Sequence, residues 1–325
     1  MSLSQPQSGP SYHRGNHICR RFARGITVAL IILTVAACSA ARHSSARIGA
    51  DATAAPRIFE TKVPFKPLSS TRLSRLLRVS VLLPNTEGPY PAVVLNHGSP
   101  RSAEARANRA QYPATSEWFL SRGFAVIVPN RRGYGGSDGP YSEGFGQCQK
   151  PDYVRAGRAT AFDIGLVLRW LRKQLWIQRG NVIVAGASAG GWGALAVGGD
   201  DHRDVAGVIN FAGGRGSPRD GFNCGPDRLV LAAGQFGRQA RVPSLWLYSV
   251  DDPYFPPRLT QRMYKAYQEG AAVSSLYVLI PRDMRIGHSL MSSRRGPLVW
   301  GRYVDEFLRQ VLRTENETLL NRSSN

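Results

Sequence analysis

Val182-Ile183-Val184-Ala185-Gly186-Ala187-Ser188-Ala189-Gly190-Gly191-Trp192-Gly193 is the stretch whose reading decides the fold. The four apolar residues at its start predict a buried strand, and the small residues after Ser188 predict a helix packed closely against it. Between them, Gly-x-Ser-x-Gly marks a sharp strand-to-helix turn. Such a turn pushes a serine out of the sheet edge, where its hydroxyl can attack a carbonyl. Small neighbours let the two backbones approach one another. With 34 glycines in the chain, the pattern alone also fits a plain loop or a phosphate cradle. The strand-then-helix context argues against the loop, and the Gly-Lys-Ser/Thr ending of a P-loop is absent.

Outward from this turn, short apolar runs alternate with helical periodicity. Strands are expected at Val79–Leu83, Ala92–Leu95, Phe124–Val128, Val182–Ala185, Val205–Phe211, Ser244–Val250 and Ser275–Ile280. Unbroken apolar runs of this length suit parallel strands covered on both faces. Helices are expected over Val154–Leu175, Arg258–Gln268 and Leu298–Leu312. The alternation predicts an α/β architecture with helices on both sides of a mostly parallel sheet. No internal repeat is visible, so one domain over residues 71–315 is expected, followed by a disordered tail at 316–325. Segments 138–155 and 213–240 lack strong periodicity and are expected to form a small loop cap over the pocket.

A nucleophilic serine needs a base, and the base needs an orienting acid. In this topology the order is serine, acid, histidine. Only His202 and His288 follow Ser188. His288 lies in Ile286-Gly287-His288-Ser289, after the last expected strand, and is the candidate base. His202, among Asp200, Asp201 and Arg203, reads as solvent-exposed. The acid is expected at Asp252, directly before the Pro253 turn, with Asp251 as competitor; a turn-capping role for the pair is the alternative. An oxyanion needs backbone donors. The amides of Ala189 and Ser99 are the candidates, with Ser99 in the loop Asn96-His97-Gly98-Ser99-Pro100 and His97 read as structural. No Cys/His cluster has zinc-ligand spacing, so neither metal nor organic cofactor is expected.

Residues 1–37 read as a secretory signal. Arg14, Arg20, Arg21 and Arg24 precede the apolar run Ile26–Ala37, which is too short for a comfortable membrane span. Val35-Ala36-Ala37-Cys38 resembles a bacterial lipobox, which implies cleavage before Cys38 and lipid attachment to its thiol. An ordinary cleaved signal or an uncleaved anchor is the alternative. Residues 38–70 are then a flexible tether, and the protein is expected at the bacterial cell envelope, facing the periplasm or the exterior. Cys148 and Cys224 remain as a possible disulfide or as two free thiols. The chain has 42 Lys+Arg against 22 Asp+Glu, a net charge of +20. The arginines are scattered rather than interleaved with aromatics, so nucleic acid is not the expected partner. A small-molecule ester or amide, and a membrane reached through the lipid anchor, are; solubility, attraction to an anionic membrane surface or biased codon usage accounts for the charge.

With Ser188, Asp252, His288 and His97-Gly98 placed, the chain resembles the α/β-hydrolase superfamily. Arg132-Gly133-Tyr134-Gly135-Gly136-Ser137 is similar to that superfamily's R-G-x-G-x-S loop. The resemblance covers residues 75–315 and implies the α/β-hydrolase fold, with a sheet of about eight strands. Within the superfamily the chain most resembles dienelactone-hydrolase-related proteins and the catalytic domain of the prolyl-oligopeptidase group. Position 188 is serine where authentic dienelactone hydrolases use cysteine. The segment before residue 75 is too short for the peptidases' propeller. The resemblance implies a serine hydrolase of the carboxylesterase kind. The alternatives are a serine amidase or exopeptidase, and an inactive hydrolase-fold binding protein.

Overall fold

The protein was analysed as a computed structural model, which describes residues 55–66, 74–100 and 102–312. Its eight strands are β1 (Arg57–Phe65), β2 (Arg75–Leu83), β3 (Tyr90–Asn96), β4 (Ala125–Pro129), β5 (Ile177–Ala187), β6 (Val205–Phe211), β7 (Ser244–Ser249) and β8 (Ser275–Ile280). They form one sheet in the order β1-β2-β4-β3-β5-β6-β7-β8. β1, β2 and β4 pair antiparallel, and every other neighbouring pair is parallel. The parallel strands read as solid apolar runs because helices cover both faces, leaving β4 and β7 buried at every position.

Among the described residues, seven α-helices accompany the sheet: α1 (Ala103–Ala107), α2 (Pro113–Leu120), α3 (Tyr153–Leu171), α4 (Ala189–Val197), α5 (Pro226–Gln239), α6 (Pro257–Gly270) and α7 (Gly296–Val311). All of the described residues fall within one compact unit, Gly49–Asn325. Trp118 and Phe119 of α2 meet Trp300 of α7, which packs on Phe211 of β6 with ring centroids 5.2 Å apart. These rings anchor two helices to one face of the sheet through large apolar burial.

Two expectations are corrected. Residues 57–65, read as part of the tether, form β1, so the sheet begins before residue 71. Only Val63 and Phe65 of β1 are buried, while Ile58 and Phe59 face solvent. An edge strand of this kind is held by backbone pairing with β2, from Arg57 opposite Leu83 to Phe65 opposite Arg75. Its side chains therefore carry little period-two signal, and Pro64 is tolerated because the strand lies at the edge. The second correction is α5, inside the segment read as aperiodic cap. Its buried face includes Leu229, Ala232, Ala233 and Phe236, so small residues mute the apolar pattern. They are small because α6 crosses very close: a Cβ on Gly237 would lie 2.0 Å from the Tyr267 carbonyl oxygen. The expected tail at 316–325 lies outside the described residues.

Candidate active site

Ser188 sits between β5 and α4 with φ 52° and ψ −118°, a left-handed conformation unusual for a residue with a side chain. The neighbouring backbone over-determines that strain. The Ser188 amide donates to the Phe211 carbonyl at 3.0 Å, and the Ser188 carbonyl accepts from Trp192 and Gly214. A Cβ on Gly190 would lie 2.2 Å from the Asn96 carbonyl oxygen, so only glycine lets the elbow seat on the end of β3. The pairing of Asn96 with Gly186 sets this register and brings the His97–Ser99 loop beside the serine. A Cβ built on Gly98 would touch the Ser188 Cβ at 3.3 Å.

Asp252 follows β7 and His288 follows β8, two and three strands from the serine along the sheet. The carboxyl ends of parallel strands are where such loops converge. His288 Nδ1 lies 2.9 Å from Asp252 Oδ2. Asp252 Oδ1 accepts from the amides of Tyr254 at 2.8 Å and Phe255 at 3.1 Å, so the buried carboxylate caps the Pro253 turn and meets the imidazole at once. Asp251 points elsewhere: its Oδ1 accepts from the Ser249 hydroxyl and from the Gly287 amide. Tyr254 stands edge-on to the His288 ring, with centroids 4.7 Å apart, and fixes the ring plane.

Ser188, Ala189, His288, Gly98 and Ser99 line one cavity of about 890 Å³. Ala189 is the first residue of α4, whose N-terminal amides point towards the serine and carry the positive end of the helix dipole. The Ser99 hydroxyl lies 2.8 Å from the Tyr134 hydroxyl, which holds the loop that carries the Ser99 amide. Tyr141, Phe145 and Gly214–Pro218 form part of the wall, so the expected cap segments contribute their first halves. Cys148 and Cys224 are joined, with Cα atoms 4.8 Å apart, and tie those two segments together. His202 is partly buried against Gly165 of α3 rather than open to solvent, and it does not line the cavity. Cys38 lies outside the described residues.

Beneath the cavity is a cluster that the sequence reading did not assemble. Glu143 is fully buried, and two arginines share it. Arg131 donates to it from Nε and, at 3.2 Å, from Nη2; Arg215 donates from Nη2 at 2.6 Å. Burial alone would raise the Glu143 carboxyl, but the two guanidiniums outweigh it and hold it well below the usual carboxylate range. His97 Nδ1 donates to the Gly98 carbonyl at 2.7 Å, and its Nε2 accepts from the Arg131 amide at 3.2 Å. Burial and then Arg131 lower its pKa to about 3, so the ring is neutral and serves as a two-ended brace for the loop. Arg132 and Ser137 of the R-G-x-G-x-S loop are likewise braces, on Asp163 at 2.6 Å and on the Asn130 carbonyl at 2.6 Å. The one sequence signal for the cluster is that Glu143 is the sole acid between Asp138 and Asp152.

A mostly parallel eight-stranded sheet with a strained serine on its central elbow, and an acid–imidazole pair at the ends of later strands, defines an α/β-hydrolase. The chain belongs to the X-Pro dipeptidyl-peptidase (S15) family, whose model matches residues 74–267. That match ends before β8 and His288. Among solved structures, a dienelactone hydrolase from Anabaena variabilis is similar at a TM-score of 0.52, with 18% identity, over 80% of this chain and 100% of its own. An acetyl xylan esterase from Paenibacillus sp. R4 gives a TM-score of 0.53 at 16% identity, over 80% of this chain and 90% of its own. An esterase from Pyrococcus furiosus gives 0.53 at 15% identity, over 79% and 93%. At these identities the likeness is one of fold. No curated protein matches the sequence.

Proposed function

We propose that this hydrolase cleaves carboxylic esters through an acyl-enzyme, with Ser188 as nucleophile, His288 as general base and Asp252 as its orienting acid. The observation that carries the reading is the 2.9 Å Asp252–His288 pair, which opens on the same cavity as the strained Ser188. With Nδ1 turned to the carboxylate, Nε2 is the nitrogen left to take the serine proton. Ser188 Oγ bonds to the ester carbonyl carbon, and the amides of Ala189 and Ser99 bind the oxyanion. His288 returns the proton to the departing alkoxide. Water then attacks the acyl-enzyme, giving its proton to His288, and the acid leaves as serine is restored.

Hydrolysis of p-nitrophenyl acetate, butyrate and octanoate by the full-length protein, with Ser188→Ala beside it, tests the reading. Activity that vanishes in the variant is expected, and the chain-length profile sizes the acyl pocket. Equal turnover by both proteins refutes the role of Ser188. Family membership favours a second reading, an amidase or exopeptidase acting with the same residues. A dipeptidyl X-Pro p-nitroanilide hydrolysed faster than any ester would establish it. The proposed location is the bacterial cell envelope, by export and lipid attachment at Cys38; the Cys148–Cys224 bridge supports an oxidising compartment.

A further inference from the structure

Among the described residues, the wall of the Ser188 cavity carries positive charge and no negative charge: Arg106, Arg109 and Arg215 line it, and no Asp or Glu does. Arg109 is paired with Glu60 at 3.2 Å on the exposed rim, where solvent screens the pair. Arg215 is only 5% exposed. Its Nη2 donates to Glu143 and, at 3.2 Å, to Thr160 Oγ1, and its Nη1 lies 3.5 Å from the Tyr141 hydroxyl. Its Nε has no hydrogen-bond partner, and neither has Arg131 Nη1. A buried donor left without an acceptor is unfavourable, and more so when it is charged. Two guanidiniums therefore face one carboxylate, beside a neutral His97 and a Tyr134 hydroxyl that burial, chiefly, keeps protonated. Arg132 is matched by Asp163 and leaves that balance unchanged. The result is one buried positive charge in excess at the wall of the site.

We propose that this site selects esters bearing a carboxylate near the scissile bond, with Arg215 as the group that receives it. The inference rests on the ester-hydrolase reading and narrows it. An anion at Arg215 neutralises the excess charge and adds a charged acceptor to a guanidinium whose Nε lacks one. The same charge disfavours the substrates of a dipeptidyl peptidase. These carry a free α-ammonium, which would face the excess charge at Arg215 with no carboxylate among the described residues of the cavity wall.

The test compares kcat/KM of the full-length protein on three six-carbon ethyl esters that differ at the chain end: monoethyl adipate, ethyl hexanoate and ethyl 6-aminohexanoate. 3-Acetoxybenzoate against phenyl acetate asks the same of the leaving group. A carboxylate preference of about tenfold to a hundredfold is expected in at least one series, with the ammonium ester poorest. In Arg215→Gln the carboxylate-to-methyl ratio falls towards one. That variant leaves Arg131–Glu143 as a balanced pair, which favours folding. Ratios near one or reversed in both wild-type series overturn the proposal. If no ester turns over, the ester-hydrolase reading has failed, and calorimetric binding of adipate, hexanoate and 6-aminohexanoate to the wild type decides the charge preference alone. Adipate bound at least tenfold tighter than the other two upholds it, and equal binding overturns it. The wild-type comparisons decide the matter even if Arg215→Gln does not fold.

Discussion

Asp251 and Asp252 are adjacent and chemically identical, yet they do different work. Asp252 Oδ2 faces the imidazole while Oδ1 is fixed by two amides; Asp251 instead ties the Ser249 hydroxyl to the Gly287 amide. Asp252→Asn is expected to lower kcat by about three to four orders of magnitude, because an amide cannot hold the imidazole in the required tautomer. Asp251→Asn is expected to lower it by less than tenfold, acting only through the His288 loop. Steady-state kinetics on p-nitrophenyl butyrate separates the two, and equal losses would refute the assignment. His97 and Glu143 link stability to pH in the same direction. The His97 ring has a folded pKa of about 3 against an ordinary 6.5, so between those values the unfolded chain takes up a proton that the folded chain does not. Its stability contribution is thus lost as pH falls through that window, by about 3 kcal/mol between pH 6.5 and 4. Glu143, depressed below the usual range, adds a loss that begins below about pH 4.5. Asp163, whose pKa burial raises to about 6, acts in the opposite direction, so the test is a difference: the gap in urea midpoint between wild type and His97→Gln should shrink from pH 7 through 5.5 to 4.

At the scale of elements, the Cys148–Cys224 bridge joins the loop before α3 to the loop before α5, across a sequence separation of 76. Closing a loop of that length removes freedom from the unfolded chain worth about 4 kcal/mol. The bridge also sits behind a wall of the site, since Phe145 and Gly216–Pro218 lie on the two tied loops. Tyr153 of α3 adds a hydrogen bond to the Cys224 carbonyl. Cys148→Ala/Cys224→Ala is expected to lower the melting temperature by several degrees and to raise KM more than it lowers kcat, because the paired loops shape the pocket rather than the reacting groups. A melting temperature and KM both unchanged would mean that the loops hold without the bridge.

Across the whole molecule, the net charge of +20 and the arginines at positions 14, 20, 21 and 24 favour an anionic surface. The proposed lipid site gives that tendency a covalent form. Full-length protein expressed in a bacterial host is expected to partition into the detergent phase of Triton X-114, and Cys38→Ala into the aqueous phase. Aqueous partition of both would remove the lipid anchor from the account.

Local pattern made a large part of this legible from sequence alone. β6 begins and ends where its apolar run does, because a parallel strand buried on both faces is written as continuous apolar residues. The Ser188 elbow was legible for a similar reason: its strain demands small residues at fixed offsets. So was the chain order of Ser188, Asp252 and His288, since the topology carries them to the ends of β5, β7 and β8. Only the tertiary structure placed Asp252 rather than Asp251 against His288, because adjacent residues share a composition and differ only in direction. It also supplied β1, where edge pairing uses backbone rather than apolar side chains. The Arg131–Glu143–Arg215 cluster had no local pattern to read. Its members lie 12 and 72 residues apart, and a single buried carboxylate leaves no periodicity in the chain that folds around it.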